Sequence, residues 1–217
     1  MFKTVTCISF MLALILPATA SATLIEADFL SSGDNLLTQH TESGLEWLDI
    51  TYTKGAGRNV IENGYKDLLT LHGFRYAKQS EVANLFVSAG IQDLSNGFTS
   101  SNLDAAQFTQ SLLGVTHSFG YGDFDWADGP SLSGIVDFDI YQGPFESAVA
   151  TIQILDSLPI ARATVEDYTV RDNVSHSWVG SFLVRDITTI PSPHTIFLIL
   201  NGLFGLLIFR KLNSKKQ

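Results

Sequence analysis

The chain has 217 residues, of which 22 are acidic and 13 are basic, and its formal net charge is −9 at pH 7. This length suits one domain with its own hydrophobic core and shorter flanking segments. The only cysteine is Cys7, so a chain processed as described next has no disulfide, no Cys-type zinc site and no cysteine nucleophile.

Residues 1–22 have the composition of a secretory signal. Lys3 supplies a positive charge, the stretch from Val5 to Leu16 is mostly apolar, and Ala20-Ser21-Ala22 resembles a signal-peptidase site. We therefore expect cleavage after Ala22 and export of the remainder. The alternative is an uncleaved anchor, although the apolar stretch is short for a membrane span.

Residues 23–190 make up the predicted body. In chain order, its patterns predict a strand at 24–29, a helix at 60–71, a strand at 74–77, a helix at 80–89, a second helix beginning at 101, and late alternating strands around 136–140, 150–154 and 178–184. Strands, then helices, then a meander of half-buried antiparallel strands indicate a single α+β domain with two or three helices.

Capping residues indicate where the two middle helices begin and end. Ser80 is the expected N-cap of the helix at 80–89, and Ser101 with Asp104 has the spacing of a capping box for the next helix. Phe108 belongs to the expected apolar stripe of that helix, and Gly114 is expected to end it.

All 22 acidic residues lie in the body, with only 8 of the basic ones, so its net charge is about −14. A surface this acidic repels nucleic acid and anionic lipid, so no nucleic-acid partner is expected. It suits solubility outside the cell, which is the simplest explanation, or cation binding, or a sugar-rich matrix.

One acidic loop resembles a calcium site in composition. Asp123, Asp125 and Asp128 supply three carboxylates next to glycines, which is the kind of ligand set that Ca²⁺ prefers. The spacing departs from an EF-hand, and a solvated turn is the favoured alternative. Phe124 and Trp126 in the same loop suit either stacking on a sugar ring or burial in the core.

Catalytic signatures are missing from the sequence. No two histidines have zincin spacing, no G-x-S-x-G motif is present, and the glycine-rich loop at 55–57 lacks the residues of a phosphate loop. We therefore expect a non-enzymatic protein without a cofactor. The alternative is an exported hydrolase that cleaves extracellular polysaccharide with two carboxylates.

The C-terminal tail, residues 190–217, reads as a sorting segment. Pro191 and Pro193 break the chain before a short apolar run, and Arg210 and Lys211 follow it. We expect a transmembrane helix at 195–209, although its 14-residue apolar core spans only about 21 Å. A buried C-terminal core helix is the alternative.

This tail resembles the PEP-CTERM sorting signal of exported proteins in exopolysaccharide-producing Gram-negative bacteria. The resemblance rests on Pro191, Pro193, the apolar run and the basic end, whereas Ser192 stands where the family has Glu. It implies an exosortase-like processing partner and an inner-membrane precursor that is passed to the cell surface or the extracellular matrix.

The body also resembles those of many PEP-CTERM proteins. The similar segments are Gly33-Asp34-Asn35-Leu36-Leu37, Thr41-x-x-Gly44-Leu45-Glu46-Trp47-Leu48-Asp49, Gly73-Phe74-Arg75-Tyr76-Ala77 and Gly180-Ser181-Phe182-Leu183-Val184-Arg185. More distantly, they are similar to the DUF1566 group, the C-terminal domain of the Legionella collagen-like adhesin. This resemblance carries over no catalytic residue and implies an adhesive or carbohydrate-binding role.

Overall fold

The protein was analysed as a computed structural model that describes residues 24–95, 97–120, 128–137 and 146–187. Apart from Asp186 and Ile187, these residues belong to the first of the two units into which the chain divides, Met1–Arg185. Across the described ranges, no helix combines the length and apolar character needed to cross a bilayer.

The described residues form an α+β fold with two sheets, which confirms the predicted fold class at that level. The first sheet has the order β1-β2-β3-β10-β4, and the second has the order β5-β6-β7-β8, with β9 added beside β6. The strands are β1 (Leu24–Ala27), β2 (Leu37–His40), β3 (Leu45–Leu48), β4 (Arg75–Tyr76), β5 (His117–Phe119), β6 (Gly129–Val136), β7 (Glu146–Leu155), β8 (Ile160–Arg171), β9 (Gly180–Ser181) and β10 (Leu183–Asp186). In the registers of these strands, β1 with β2, β2 with β3, β4 with β10, β5 with β6, β6 with β7 and β7 with β8 pair antiparallel, and β6 with β9 pairs parallel.

In the part of the chain that the structure describes, three α-helices accompany the sheets: α1 (Arg58–Glu62), α2 (Gln79–Ser88) and α3 (Leu103–Leu113). Val82, Leu85 and Phe86 of α2 are buried in the core that α2 and α3 share with the second sheet, as the apolar stripe predicts. Gly114 follows α3 with a φ of 85°, a backbone conformation that glycine adopts most easily, so the predicted helix end is confirmed.

The two sheets are linked through the short segment that contains β9 and β10. Phe182, between the two strands, donates its N–H to Ile135 of β6 and accepts a hydrogen bond from Ala77, next to β4. Its ring packs edge-on against Trp47 and Phe86. The space for this ring comes from Gly134, because a Cβ there would lie 2.7 Å from Phe182 Cδ2.

Several sequence predictions were wrong in detail. The predicted helix at 60–71 ends at Glu62, because Gly64 is left-handed, and only a 3-10 turn follows (Tyr65–Asp67). Lys78, and not Ser80, is the N-cap of α2. Asn102 precedes α3 without a side-chain cap, so the Ser101–Asp104 capping box does not form.

The pattern of burial also differs from the prediction. Phe108 is 44% exposed and lies outside the core, although its spacing placed it on the apolar stripe. The sequence predicts half-buried strands at 150–154 and 178–184, but both faces are buried in β7 from Ser147 to Ile154 and in the segment from Val179 to Val184. These segments therefore lie in the middle of the fold.

Candidate functional site

Five ring-bearing residues beside the first sheet form a group that we call the aromatic cluster: Phe29, Tyr52, Tyr65, His72 and Phe74. Phe29 lies at its centre, with ring centroids 5.7 Å from Tyr52, 4.8 Å from His72 and 5.5 Å from Phe74, each in an edge-on arrangement. Phe74 is buried, and the other four are half-buried. The cluster therefore presents fixed aromatic surface to solvent.

Local structure brings these rings together from separate segments. Phe29 follows the edge strand β1, and Tyr52 lies in the 3-10 turn Ile50–Thr53 after β3. Tyr65 begins the second 3-10 turn, while His72 and Phe74 precede β4. Adjacent strands and their connections at this part of the first sheet thus position all five rings.

The Asp34 carboxylate fixes the loop that carries Phe29. Its Oδ1 atom accepts hydrogen bonds from the backbone N–H of Phe29 (2.8 Å) and Leu36 (3.2 Å), and its Oδ2 atom accepts from Leu30 and Ser31, both at 2.8 Å. These bonds, led by the one from Phe29, hold the Asp34 pKa well below its usual range. The Gly33-Asp34-Asn35 turn therefore also holds the backbone of Phe29 in position.

Arg185 supports the buried side of the aromatic cluster. Its guanidinium carbon lies 4.8 Å from the ring centroid of Phe74 and 5.5 Å from that of Phe29. Its Nε atom donates to Glu46 at 2.8 Å and its Nη1 atom to the carbonyl of His72 at 3.2 Å. This cation is paired and partly enclosed, so its role in the cluster is structural.

Lys66 occupies the exposed side of the aromatic cluster. Its ammonium lies 3.6 Å from the ring centroid of Tyr52 and 5.0 Å from that of Tyr65, and it donates to the Tyr52 carbonyl at 3.1 Å. Within the described ranges, no carboxylate pairs with it. Lys66 and Asp67 have φ values of 51° and 53°, a left-handed conformation that costs about 1–2 kcal/mol per non-glycine residue.

A second polar group lies in the interior of the second sheet. We call it the polar face, and its members are Ser131, Ser133, Thr151, Gln153 and Thr164, each no more than 5% exposed. Strand register places Ser131 opposite Gln153 and Ser133 opposite Thr151, which is opposite Thr164. The hydroxyls of Ser133 and Thr151 lie 3.2 Å apart, within hydrogen-bond distance. Because the polar face is buried, it is not the candidate binding surface.

An ion pair closes one side of the polar face. Arg162 Nη2 lies 3.3 Å from Asp167 Oδ2, and the two side chains are only 12% and 10% exposed. Arg162 Nε also donates to Gln153 at 3.1 Å. The Asp167 carboxylate is therefore paired with Arg162 in a largely buried position. Within the described ranges, no group of three or more His, Cys, Asp or Glu residues is arranged to hold a metal ion.

The sequence-predicted site residues mostly lie outside the described ranges. This applies to two carboxylates of the acidic loop, Asp123 and Asp125, and to the whole sorting signal and cleavage site: Ala22, Pro191, Pro193, Arg210 and Lys211. Asp128 is described, and it accepts a hydrogen bond from the Ser157 hydroxyl at 3.1 Å. The calcium hypothesis and the sorting hypothesis therefore stay predictions.

Comparison with known proteins adds no relative. No protein-family model matches the chain, and searches of curated proteins and of solved structures give no match either.

The aromatic cluster was missed in the sequence because its rings come from separated segments. The signal that pointed towards it was the pair of motif-like segments at 33–37 and 73–77, which carry Asp34 and Phe74.

Proposed function

We propose that the protein is a non-enzymatic, exported protein that binds extracellular polysaccharide through the aromatic cluster. A PEP-CTERM-like tail would sort it to the cell envelope or the extracellular matrix of a Gram-negative bacterium. The observation that carries the binding proposal is the set of half-exposed, fixed rings around Phe29.

The chemistry of such a surface matches a saccharide. A sugar ring has an apolar face bounded by hydroxyls, and Tyr52 and Tyr65 combine an apolar body with a polar tip. Because Asp34 and Arg185 already hold the cluster in position, little conformational entropy would be lost on binding. Rigid aromatic anchors at the centre of a contact are the usual source of most binding energy.

Retention on polysaccharide tests the binding proposal. Full-length protein would be applied to immobilised extracellular polysaccharide from the cells that produce it. We expect Tyr52→Ala and Tyr65→Ala each to reduce retention at least about tenfold. Phe108→Ala is the matched control, because it removes a 44% exposed ring from another element. Equal retention of all four proteins would refute binding through the cluster.

Fractionation tests the sorting proposal. Deletion of residues 196–217 removes the apolar run and the basic end, so the exported protein should move from the membrane fraction to the soluble periplasm. Replacing Pro191 and Pro193 with Ala should block exosortase-like processing and leave the protein in the inner membrane. A truncated protein that still sediments with membranes would support the core-helix alternative.

The hydrolase alternative is distinguished by its product. A polysaccharide hydrolase would release reducing ends, whereas a binding protein would retain the polymer without shortening it. Incubating the same polysaccharide with the full-length protein and measuring reducing sugar separates the two. Steady release that scales with protein concentration would replace the binding proposal with a catalytic one.

A further inference from the structure

We propose that Tyr52 and Tyr65 form a cation site for the ammonium group of an amino sugar, and that Lys66 occupies this site in the free protein. This inference rests on the proposed function and names its ligand class: a polysaccharide with free amino groups. The juxtaposition that suggests it is a lysine ammonium held over two half-exposed tyrosine rings in a left-handed segment.

The site has the geometry of an ammonium receptor. The Lys66 ammonium lies 3.6 Å from the Tyr52 centroid and 5.0 Å from the Tyr65 centroid, both within the range over which a ring quadrupole attracts a cation. The Tyr52 carbonyl accepts a hydrogen bond from the same ammonium at 3.1 Å. Phe29 packs edge-on against Tyr52 and keeps its ring in place.

The exposure of Lys66 and its weak anchoring indicate that its ammonium can be displaced from the two rings. Lys66 and the next residue, Asp67, are both left-handed, a conformation that costs free energy in any residue with a Cβ. Lys66 is exposed and has no carboxylate partner within the described ranges. A ligand ammonium that replaced it would release the Lys66 side chain to water.

The charge of the body favours a cationic ligand over an anionic one. Residues 23–190 contain 22 acidic and 8 basic residues, so the surrounding field attracts an amino-bearing polymer and repels a uronate-bearing one. Field attraction alone would be unspecific. Specificity comes from the rings, which distinguish an ammonium from an acetamido group at the same sugar position.

A matched pair of ligands and a matched pair of variants test the inference. The probes are the glucosamine tetramer and the N-acetylglucosamine tetramer, which differ in amine charge and acetylation. Binding to the full-length protein in mild detergent would be measured by calorimetry at physiological salt. We expect the glucosamine tetramer to bind at least about tenfold more tightly than the acetylated one.

Lys66→Gln is the decisive variant because it vacates the site. It should bind the glucosamine tetramer about tenfold more tightly than the unaltered protein, since no internal ammonium competes. Lys54→Gln changes net charge equally at another exposed lysine, for which no ring contact is found within the described ranges, and should change the affinity less than twofold. Adding Tyr52→Leu to Lys66→Gln should abolish the gain.

The outcomes separate this inference from the proposed function. Equal affinities of Lys66→Gln and Lys54→Gln, or a fall in affinity for Lys66→Gln, would overturn the occupancy of the site by Lys66. Equal binding of both tetramers would overturn the amino-sugar class and leave polysaccharide binding standing. If neither tetramer binds while the cell's own polysaccharide is still retained through Tyr52, the inference fails and the proposed function survives.

Discussion

The aromatic cluster and the polar face are opposites in composition and in burial. The cluster places Phe29, Tyr52 and Tyr65 partly in solvent, whereas the polar face places serine, threonine and glutamine side chains in the interior. Hydroxyls are tolerated inside because neighbouring hydroxyls of the polar face, within β6 and across from β6 to β7, lie within hydrogen-bond distance of each other. The buried polar side chains are therefore explained by structure alone. The partly exposed rings have no such explanation, and they are the better indication of a binding site.

The two regions also differ in how their cations are used. Arg162, beside the polar face, is held in a nearly enclosed ion pair with Asp167. Lys66, beside the aromatic cluster, is exposed and contacts rings without a carboxylate partner in the described ranges. A buried pair specifies structure, because breaking it leaves a charge in the interior. An exposed ammonium over rings is displaceable, which suits a binding site.

The largest effect is expected where the two sheets are joined. At Gly180 a Cβ would collide with the carbonyl oxygen and Cγ2 of Ile50, and the backbone atom cannot move aside easily. Gly180→Ala should therefore lower the free energy of unfolding by at least about 3 kcal/mol or prevent folding. Denaturant unfolding measures the loss.

Gly44→Ala is the control for the substitution at Gly180. Gly44 has a φ of 69° but open space around it, so only backbone strain of about 1 kcal/mol is expected. Equal losses for the two variants would mean that the contact between β9 and the 3-10 turn at Ile50 is looser than the structure indicates.

A smaller loss of stability is expected at the ion pair beside the polar face. Asp167→Asn leaves the guanidinium of Arg162 without its carboxylate in a largely buried position, and we expect a loss of about 2 kcal/mol. The matched control is Glu81→Gln, which removes the charge from a pair whose arginine, Arg75, is 46% exposed. That change should cost less than about 1 kcal/mol. Similar losses would show that the polar face is open to water.

Much of the fold could be predicted because local patterns agree with it. The apolar spacing of Val82, Leu85 and Phe86 gives α2 its buried stripe, and Gly114 ends α3. The long strand β8 was missed. Its Arg162, Glu166 and Asp167 look solvent-exposed in a sequence, but a bulge between Thr164 and Tyr168 disturbs the alternation of side chains.

The candidate site could not be predicted from spacing, because its geometry is tertiary. Tyr52 and Lys66 meet only after Gly64 breaks the helix that the pattern extended to residue 71. The four backbone bonds of Asp34 depend on a loop that turns back on itself, which a turn signal alone does not specify. The sequence predicted the turn that contains Asp34, but it did not predict that this turn positions the ring of Phe29.

A local effect is expected at the loop of the aromatic cluster. Asp34→Ala removes the acceptor of four backbone N–H groups, so amide exchange at Phe29, Leu30 and Ser31 should rise at least about tenfold. Asp34→Asn keeps one carbonyl acceptor and should give an intermediate rate. Unchanged exchange in both variants would mean that Phe29 is held by ring packing alone. Hydrogen exchange followed by mass spectrometry or NMR provides the rates.

The smallest effect is expected at His40, whose two ring nitrogens lack hydrogen-bond partners within the described ranges although the residue is only 2% exposed. Burial lowers the pKa of His40, and the nearby Glu42 opposes this shift only in part. The unfolded chain therefore binds a proton at a higher pH than the folded one. Stability should fall as the pH drops below about 6.5, the unperturbed histidine value, and this contribution should level off below the folded pKa.

His40→Leu removes the titrating ring and its two unpaired nitrogens from the interior of the first sheet. The variant should be at least as stable as the unaltered protein at pH 8, because replacing an unpaired buried polar group by an apolar one costs little. Its stability advantage over the unaltered protein should then grow as the pH falls from 7 to 5. In that range the unfolded form of the unaltered protein gains a proton at His40 more readily than the folded form, and the variant has no such group. Urea unfolding across that range measures the difference. A constant difference would mean that His40 has polar partners in solution.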